Sequence, residues 1–466
     1  MKKYFLLISF LFVQLQGSAQ SDYKVSYDSL TEYQGVYEYT NNSTLKIAAS
    51  PRDIILYAII NQSRYPLKPL GKDVFTNSSN EKVTFKRDIN NRVIAYTVGN
   101  ETFNLLNSKV NLPESMWYPR PKNRQIYPYR YSKPVAEHDG ITVSEVQKPL
   151  DKCVLERLVN EVANDEYPNV HSLLIMQHGK LVFEEYFYEY NKDSLHQMRS
   201  ASKSVVSALT GIALQNGDVK DLQQSVTSYF PEYGAEIKTG LKDNITIENL
   251  LTNQSGLDCD ISNDSAAGNE TAMGQSDDWV KYTLQLPMSD VPGGKGMYCS
   301  GNPIILGRII EKSSAMPLSK FAERYLFGPL GVKDFKWDFK PNKSNAEDFC
   351  QVYLRPRDMA KFGQLYLNRG MWDGKQILST EWVENSVSLH STIQNVGYGY
   401  LWWIKYIESE GVRYNGFAAQ GNGGQRIFVF PRQDIVIVIT GGNYNQQSPS
   451  DKIIADYILK AYNKKH

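Results

Sequence analysis

Residues 199–217 read Arg199-Ser-Ala-Ser-Lys-Ser-Val-Val-Ser-Ala-Leu-Thr-Gly-Ile-Ala-Leu-Gln-Asn-Gly217. Val205, Val206, Leu209, Ile212 and Ala213 recur at the spacing of one helix face, and Gly217 is placed to end the helix. A helix opening near Ser200 carries Ser200 and Lys203 one turn apart on the same side. That pairing has chemical content. A serine hydroxyl is a weak nucleophile at neutral pH and needs a neighbouring base, which a lysine supplies when burial disfavours its ammonium form. The start of the helix adds partial positive charge beside the serine.

The Ser-x-x-Lys spacing occurs four times, at Ser21/Lys24, Ser43/Lys46, Ser79/Lys82 and Ser200/Lys203. The first three precede polar or strand-like segments that would leave both side chains solvated. Only the fourth opens a long apolar helix. Other chemistries lack their residues. The chain has no G-x-x-x-x-G-K-[ST] loop, no G-x-G-x-x-G after a strand, no H-E-x-x-H and no G-x-S-x-G elbow. Its six histidines are His138, His171, His178, His196, His390 and His466, none of them paired at metal-ligand spacing. No metal site and no cofactor is expected.

The 466 residues carry 51 Lys and Arg against 50 Asp and Glu, so nothing marks a surface for phosphate backbones, and nucleic acid is not an expected partner. Met1-Lys2-Lys3, the apolar run from Tyr4 to Leu15 and Gly17-Ser18-Ala19 read as a secretory signal peptide over residues 1–20. No later stretch is long and apolar enough for a stable membrane span. A periplasmic or secreted protein is expected, in which Cys153, Cys259, Cys299 and Cys350 are free to form one or two disulfides without having to.

Residues 21–108 alternate short strand-like runs (Gly35–Tyr39, Thr44–Ile47, Ile54–Ile60, Val83–Phe85, Val93–Val98) with Asn- and Ser-rich turns, a pattern for a small all-β accessory domain. Residues 109–149, rich in Pro and Tyr, suit an extended connecting strap. From 150 to 466, strands come first and last with helices between. Helices are expected at Cys153–Val162, Ile247–Leu251, Asn302–Lys312, Lys320–Leu326, Pro356–Leu367, Thr380–Val387 and Ile453–Tyr462. Strands follow at Gly399–Ile404, Arg413–Gln420, Arg426–Phe430 and Ile435–Ile439. This order argues for an α+β fold rather than βαβ units.

Arg199 to Ser204, followed by Ala208-Leu-Thr-Gly-Ile-Ala213, resembles the nucleophile helix of the penicillin-recognising serine hydrolases, in the branch of class C β-lactamases, DD-peptidases, esterases and nylon-oligomer hydrolases. Further segments resemble the same branch in its order: Leu250-Leu-Thr-Asn-Gln-Ser-Gly-Leu257; Tyr298-Cys-Ser-Gly-Asn302 leading into Leu306–Lys312; Arg357–Leu367; Gly397-Tyr-Gly-Tyr-Leu-Trp-Trp403; and Gly421-Asn-Gly-Gly-Gln425. The resemblance implies a β-lactamase-like domain, an antiparallel sheet flanked by helices with an all-helical subdomain. It also implies that Ser200 is acylated, Lys203 accepts its proton and Tyr298 is the second acid/base. Ser300 then fills the third position of the tyrosine motif. Ser300, Asn302, Ala419 and Gly421 are the expected substrate-binding residues, with Ala419 or a neighbour giving the second oxyanion amide.

One motif departs from the branch. The strand bordering the site commonly carries Lys or His, then Ser or Thr and Gly; aligning the strand that ends at Pro431 places Gly416-Phe417-Ala418-Ala419 there, without a cation. Because that cation helps hold a substrate carboxylate, its absence favours a small ester, amide or peptide-like substrate lacking the charge. A β-lactamase or DD-peptidase, and a binding protein that keeps the fold without turnover, are the alternatives. Of Trp402 and Trp403, neighbours on an expected strand, at most one should line the pocket while the other is core.

Overall fold

A computed structural model describes residues 23, 25–40, 43–60, 63–120, 129–259, 266–346 and 348–463. The expected signal peptide lies outside these residues. The chain divides into two compact units, one within residues 1–110 and the other containing residues 111–466.

The N-terminal region is all β. Strands β1 (Gly35–Tyr39), β2 (Ser43–Ala49), β3 (Leu56–Ile60), β4 (Ser63–Gly71), β5 (Val74–Thr76), β6 (Lys82–Arg87), β7 (Val93–Val98) and β8 (Glu101–Asn107) close into a barrel. Alternation along β6 turns Val83 and Phe85 inward. Their neighbours make an aromatic interior, in which Tyr33, Tyr37, Phe75, Phe85 and Tyr96 meet with ring centroids 4.7 to 6.2 Å apart. An eight-stranded barrel is just wide enough for side chains to fill, and here rings fill it. Within the second unit, the Tyr131 hydroxyl donates to Val182 O at 2.8 Å and accepts from Val146 N at 2.9 Å.

The second unit is built on an eight-stranded sheet of order β10-β9-β21-β20-β19-β18-β17-β16. It comprises β9 (Val170–Gln177), β10 (Lys180–Tyr186), β16 (Ser391–Ile393), β17 (Val396–Tyr398), β18 (Trp403–Ser409), β19 (Val412–Gly421), β20 (Gln425–Phe430) and β21 (Ile435–Gly441). The smaller pieces β11 (His196–Gln197), β12 (Phe335–Lys336) and β13 (Tyr353–Leu354) form a second sheet, and β14 (Met371–Trp372) pairs with β15 (Lys375–Gln376). The first and last strands of the unit are neighbours, Ile175 of β9 facing Ile437 of β21 in antiparallel register. The helices from Ser202 to Ser386 therefore lie in the chain between two halves of one sheet.

Both faces of that sheet are covered. Along β21, Val436 and Val438 join the core shared with the Ser202–Asn216, Gly301–Ser314 and Pro356–Leu367 helices. Ile435, Ile437 and Ile439 join the opposite core, with the Lys152–Ala163 helix and the C-terminal turns from Ser450 to Asn463. A strand with two buried faces reads as an unbroken apolar run, as this one does. The Ser202–Asn216 helix is buried at every position from Ser202 to Ala213. Gly211 lets it approach closely, since a Cβ there would fall 2.4 Å from the Trp382 ring.

The helix expected over Ile453–Tyr462 is α-helical only over Ser450–Ile453 and continues as a wider turn and then a 3₁₀ turn, and two elements near the site differ as well. The helix expected near Ser200 begins at Ser202 after a 3₁₀ turn over Arg199–Ala201, two residues later than its apolar spacing suggested. The expected strand Gly399–Ile404 is mostly a turn, and β18 starts at Trp403. Leu401 has φ of +58°, and a Cβ on Gly399 would meet Ser386 O at 2.2 Å. The left-handed backbone at Leu401 is incompatible with an extended strand.

Candidate active site

The short turn before the Ser202–Asn216 helix presents Ser200. Arg199 holds φ of +52°, a left-handed conformation that costs a non-glycine residue energy and persists only where its surroundings impose it. Two hydrogen bonds pin this turn: Met198 N donates to Val352 O at 2.9 Å, and Ala201 N donates to Met198 O at 3.1 Å. The next turn is locked by its own hydroxyls. Ser202 Oγ accepts from Val352 N at 3.0 Å, and Ser204 Oγ donates to Leu401 O at 2.7 Å.

Lys203 is 5% exposed, and its Nζ donates to Ser200 Oγ at 2.9 Å. It forms no ion pair among the described residues. Its Nζ also stands 5.0 Å over the centroid of the Tyr298 ring. That ring stacks on Trp403 at 5.8 Å and meets the edge of Tyr398 at 6.4 Å. Ser200, Lys203 and Tyr298 thus converge from a turn, a helix and a loop more than ninety positions apart. Trp402 is fully buried and stacks on Phe362 at 5.7 Å, while half-buried Trp403 meets Tyr298. The two tryptophans divide as their adjacency suggested, although the strand begins only at the second.

The four expected substrate-binding residues are placed differently from one another. Ser300 is 8% exposed, and its hydroxyl donates to the Glu270 carboxylate. A cavity flanking Lys203 is bounded by Ser202, Glu270, Ser300, Cys350 and Gln351. Asn302 is fully buried in the Gly301–Ser314 helix and donates from Nδ2 to Asn253 Oδ1 at 2.9 Å. Ala419 is also fully buried, its side chain in the core beneath the Ser202–Asn216 helix.

Gly421 is where β19 meets the serine turn. A Cβ on Gly421 would fall 2.2 Å from Met198 O and 2.9 Å from Arg199 Cβ, so only glycine fits this approach. The strand end beside Ser200 is therefore Ala419-Gln420-Gly421. Gly416 lies halfway along the strand, opposite Lys405. The register of the aligned motif moves by several residues, yet its chemistry is unchanged, since these three residues also contain no cation. Arg426, across the hairpin from Gln420, donates from Nη1 to the carbonyls of Gly421 and Gln425 at 3.2 and 3.0 Å.

Cys259 and Cys299 form a disulfide, while Cys153 is an exposed free thiol and Cys350 a buried one that burial pushes up to about 12. Sequence reasoning assigned no part to Glu270 or Asn253. Asn253 stood inside the Leu250–Leu257 segment, but its contacts come from residues more than forty positions away. Glu270 follows an ordinary Asn269 N-cap, and no motif marks it.

A family model described as Beta-lactamase matches residues 165–462. The 6-aminohexanoate-dimer hydrolase of Paenarthrobacter ureafaciens is 24% identical over 331 residues, covering 65% of this chain and 80% of that protein. Among solved structures, a penicillin-binding protein homolog from Caulobacter crescentus aligns with a TM-score of 0.52 at 15% identity, over 68% of this chain and 99% of that one. A family VIII carboxylesterase aligns with a TM-score of 0.54 at 14% identity, over 68% and 98%. At these identities the two structures are alike in fold.

Proposed function

We propose, from the premise that this chain belongs to the beta-lactamase family, that it is a secreted serine hydrolase cleaving an ester or amide through a covalent acyl-enzyme on Ser200. The observation that carries this reading is the 2.9 Å hydrogen bond between the buried Lys203 Nζ and Ser200 Oγ. Lys203 Nζ, which forms no ion pair among the described residues, stands at hydrogen-bond distance from the hydroxyl whose proton it would accept.

In the first half-reaction Ser200 Oγ attacks the substrate carbonyl carbon as its proton passes to Lys203 Nζ. The oxyanion is held by the backbone N–H of Ser200 and by an amide from the Ala419–Gly421 end of β19, donors that are already in place when charge develops. Collapse of the tetrahedral intermediate breaks the bond to the leaving group, which takes a proton through Tyr298. A water then attacks the acyl carbonyl, giving up a proton to the Lys203–Tyr298 pair. The acid departs as Ser200 Oγ regains its hydrogen.

The relative named for the 6-aminohexanoate dimer supports an amide substrate, and Ala419-Gln420-Gly421, lacking a cation, supports one without a carboxylate at that position. Secretion rests on residues 1–20. Ser200→Ala is compared with wild type on an activated ester: loss of turnover supports the reading, and turnover like that of wild type contradicts it. Covalent labelling of Ser200 by penicillin would favour the β-lactamase or DD-peptidase reading. A fluorophosphonate that leaves Ser200 unmodified would favour a non-catalytic binding protein.

A further inference from the structure

Both residues flanking Tyr298 are held by one asparagine. Asn253 is 1% exposed, and its main-chain O accepts from Met297 N at 2.8 Å. Its side-chain Oδ1 accepts from Cys299 N at 3.3 Å and from Asn302 Nδ2 at 2.9 Å. The residue before the tyrosine, the residue after it and the first turn of the following helix thus share a single anchor. Asn253 sits at φ of +54°, a conformation that asparagine tolerates far better than bulky or β-branched residues.

A second tie acts on the same short loop. Cys299 is bridged to Cys259, 40 residues earlier, and Cys259 N donates to Met297 Sδ at 3.3 Å. Cys259 and Cys299 are buried, at 0% and 2% exposure. The stacking on Trp403 fixes the plane of the Tyr298 ring, whereas Asn253 and the bridge fix where its backbone starts.

We propose that Asn253 is a positioning residue for Tyr298, and that the Cys259–Cys299 bridge is the second half of the same clamp. This rests on Tyr298 moving protons as described above. Proton transfer needs the phenol at hydrogen-bond distance from its partners, so a displacement of about 1 Å in the loop is enough to cost on the order of 10²-fold in rate while leaving substrate binding nearly intact.

The test measures the acylation burst, KM and pH profile on phenyl acetate, whose poorer leaving group needs the proton that Tyr298 delivers, for wild type, Asn253→Gly and Asn253→Asp, with Ser200→Ala alongside. Glycine keeps the left-handed backbone and deletes the acceptor, while aspartate restores it. The expected result is a burst rate about 10²-fold lower in Asn253→Gly, with KM nearly unchanged and a displaced pH profile, and recovery of most of that loss in Asn253→Asp. A wild-type burst and pH profile in Asn253→Gly, whatever its melting temperature, overturns the proposal. If Asn253→Gly does not fold, the wild-type protein reduced with dithiothreitol under native conditions decides. A slower burst once thiol counting shows the bridge open supports the clamp, and an unchanged burst overturns it. Wild-type turnover by Ser200→Ala would instead remove the underlying reading.

Discussion

Lys203 Nζ lies 2.9 Å from Ser200 Oγ, and the lysine that supplies it is only 5% exposed. Three residues of separation across the junction of a 3₁₀ turn and a helix create this contact, and the helix that carries the lysine is buried from Ser202 to Ala213.

Replacing Lys203 with methionine keeps most of the buried volume and removes the proton acceptor. The burst of acylation on an activated ester should fall by about 10³-fold, with KM changed little. Stopped-flow measurement of the burst checks this, and a variant that acylates within a few-fold of wild type would show that another group takes the proton.

Tyr298→Phe keeps the ring that stacks on Trp403 and loses only the hydroxyl. Turnover should drop by about 10²-fold while the melting temperature stays close to wild type. Calorimetry beside steady-state kinetics separates the two roles. A large loss of stability with intact turnover would make the tyrosine a packing residue.

Gly421→Ala tests the close approach of β19 to the serine turn. With its Cβ directed at Met198 O, the variant should lose about 1–3 kcal/mol of stability, read by denaturant unfolding. Activity should fall further than stability requires, because the displaced backbone carries both Ser200 and the strand-end amide. Unchanged stability would mean that the turn and strand are not in contact.

How much of this was legible in the sequence depended on the range of the forces involved. The helices Ile247–Leu251 and Pro356–Leu367 have the expected ends, because Thr246 with Asn249 and Pro356 at the first helical position are local signals. Strand β4 escaped notice because Pro66 and Pro69 argue against a strand in isolation, while a closed barrel accommodates them. Ser200, Lys203 and Tyr298 were visible as motifs. The burial of Asn302 and the engagement of Ser300 by Glu270 depend on tertiary contacts that no spacing encodes.

His171 and His196 supply a pH dependence separate from the chemistry. Their ring nitrogens meet at 2.9 Å, both residues are fully buried, and burial pushes His196 down to about 4 and His171 well below its usual value. Above pH 6.5 both are neutral whether the chain is folded or not. Below it the unfolded chain binds protons that the folded one refuses, so stability falls as the pH drops from about 6.5 towards about 4, by on the order of 3 kcal/mol for His196. Denaturant melts across this range check the slope, which should be shallower in His196→Gln.

Intact-mass spectrometry with peptide mapping, after exposure of wild type and Ser200→Ala to a fluorophosphonate, tests the central claim most directly. Acylation at Ser200 predicts one adduct on wild type, located on the peptide that carries Ser200, and none on Ser200→Ala. An adduct of equal yield on both proteins, or none on either, would contradict it.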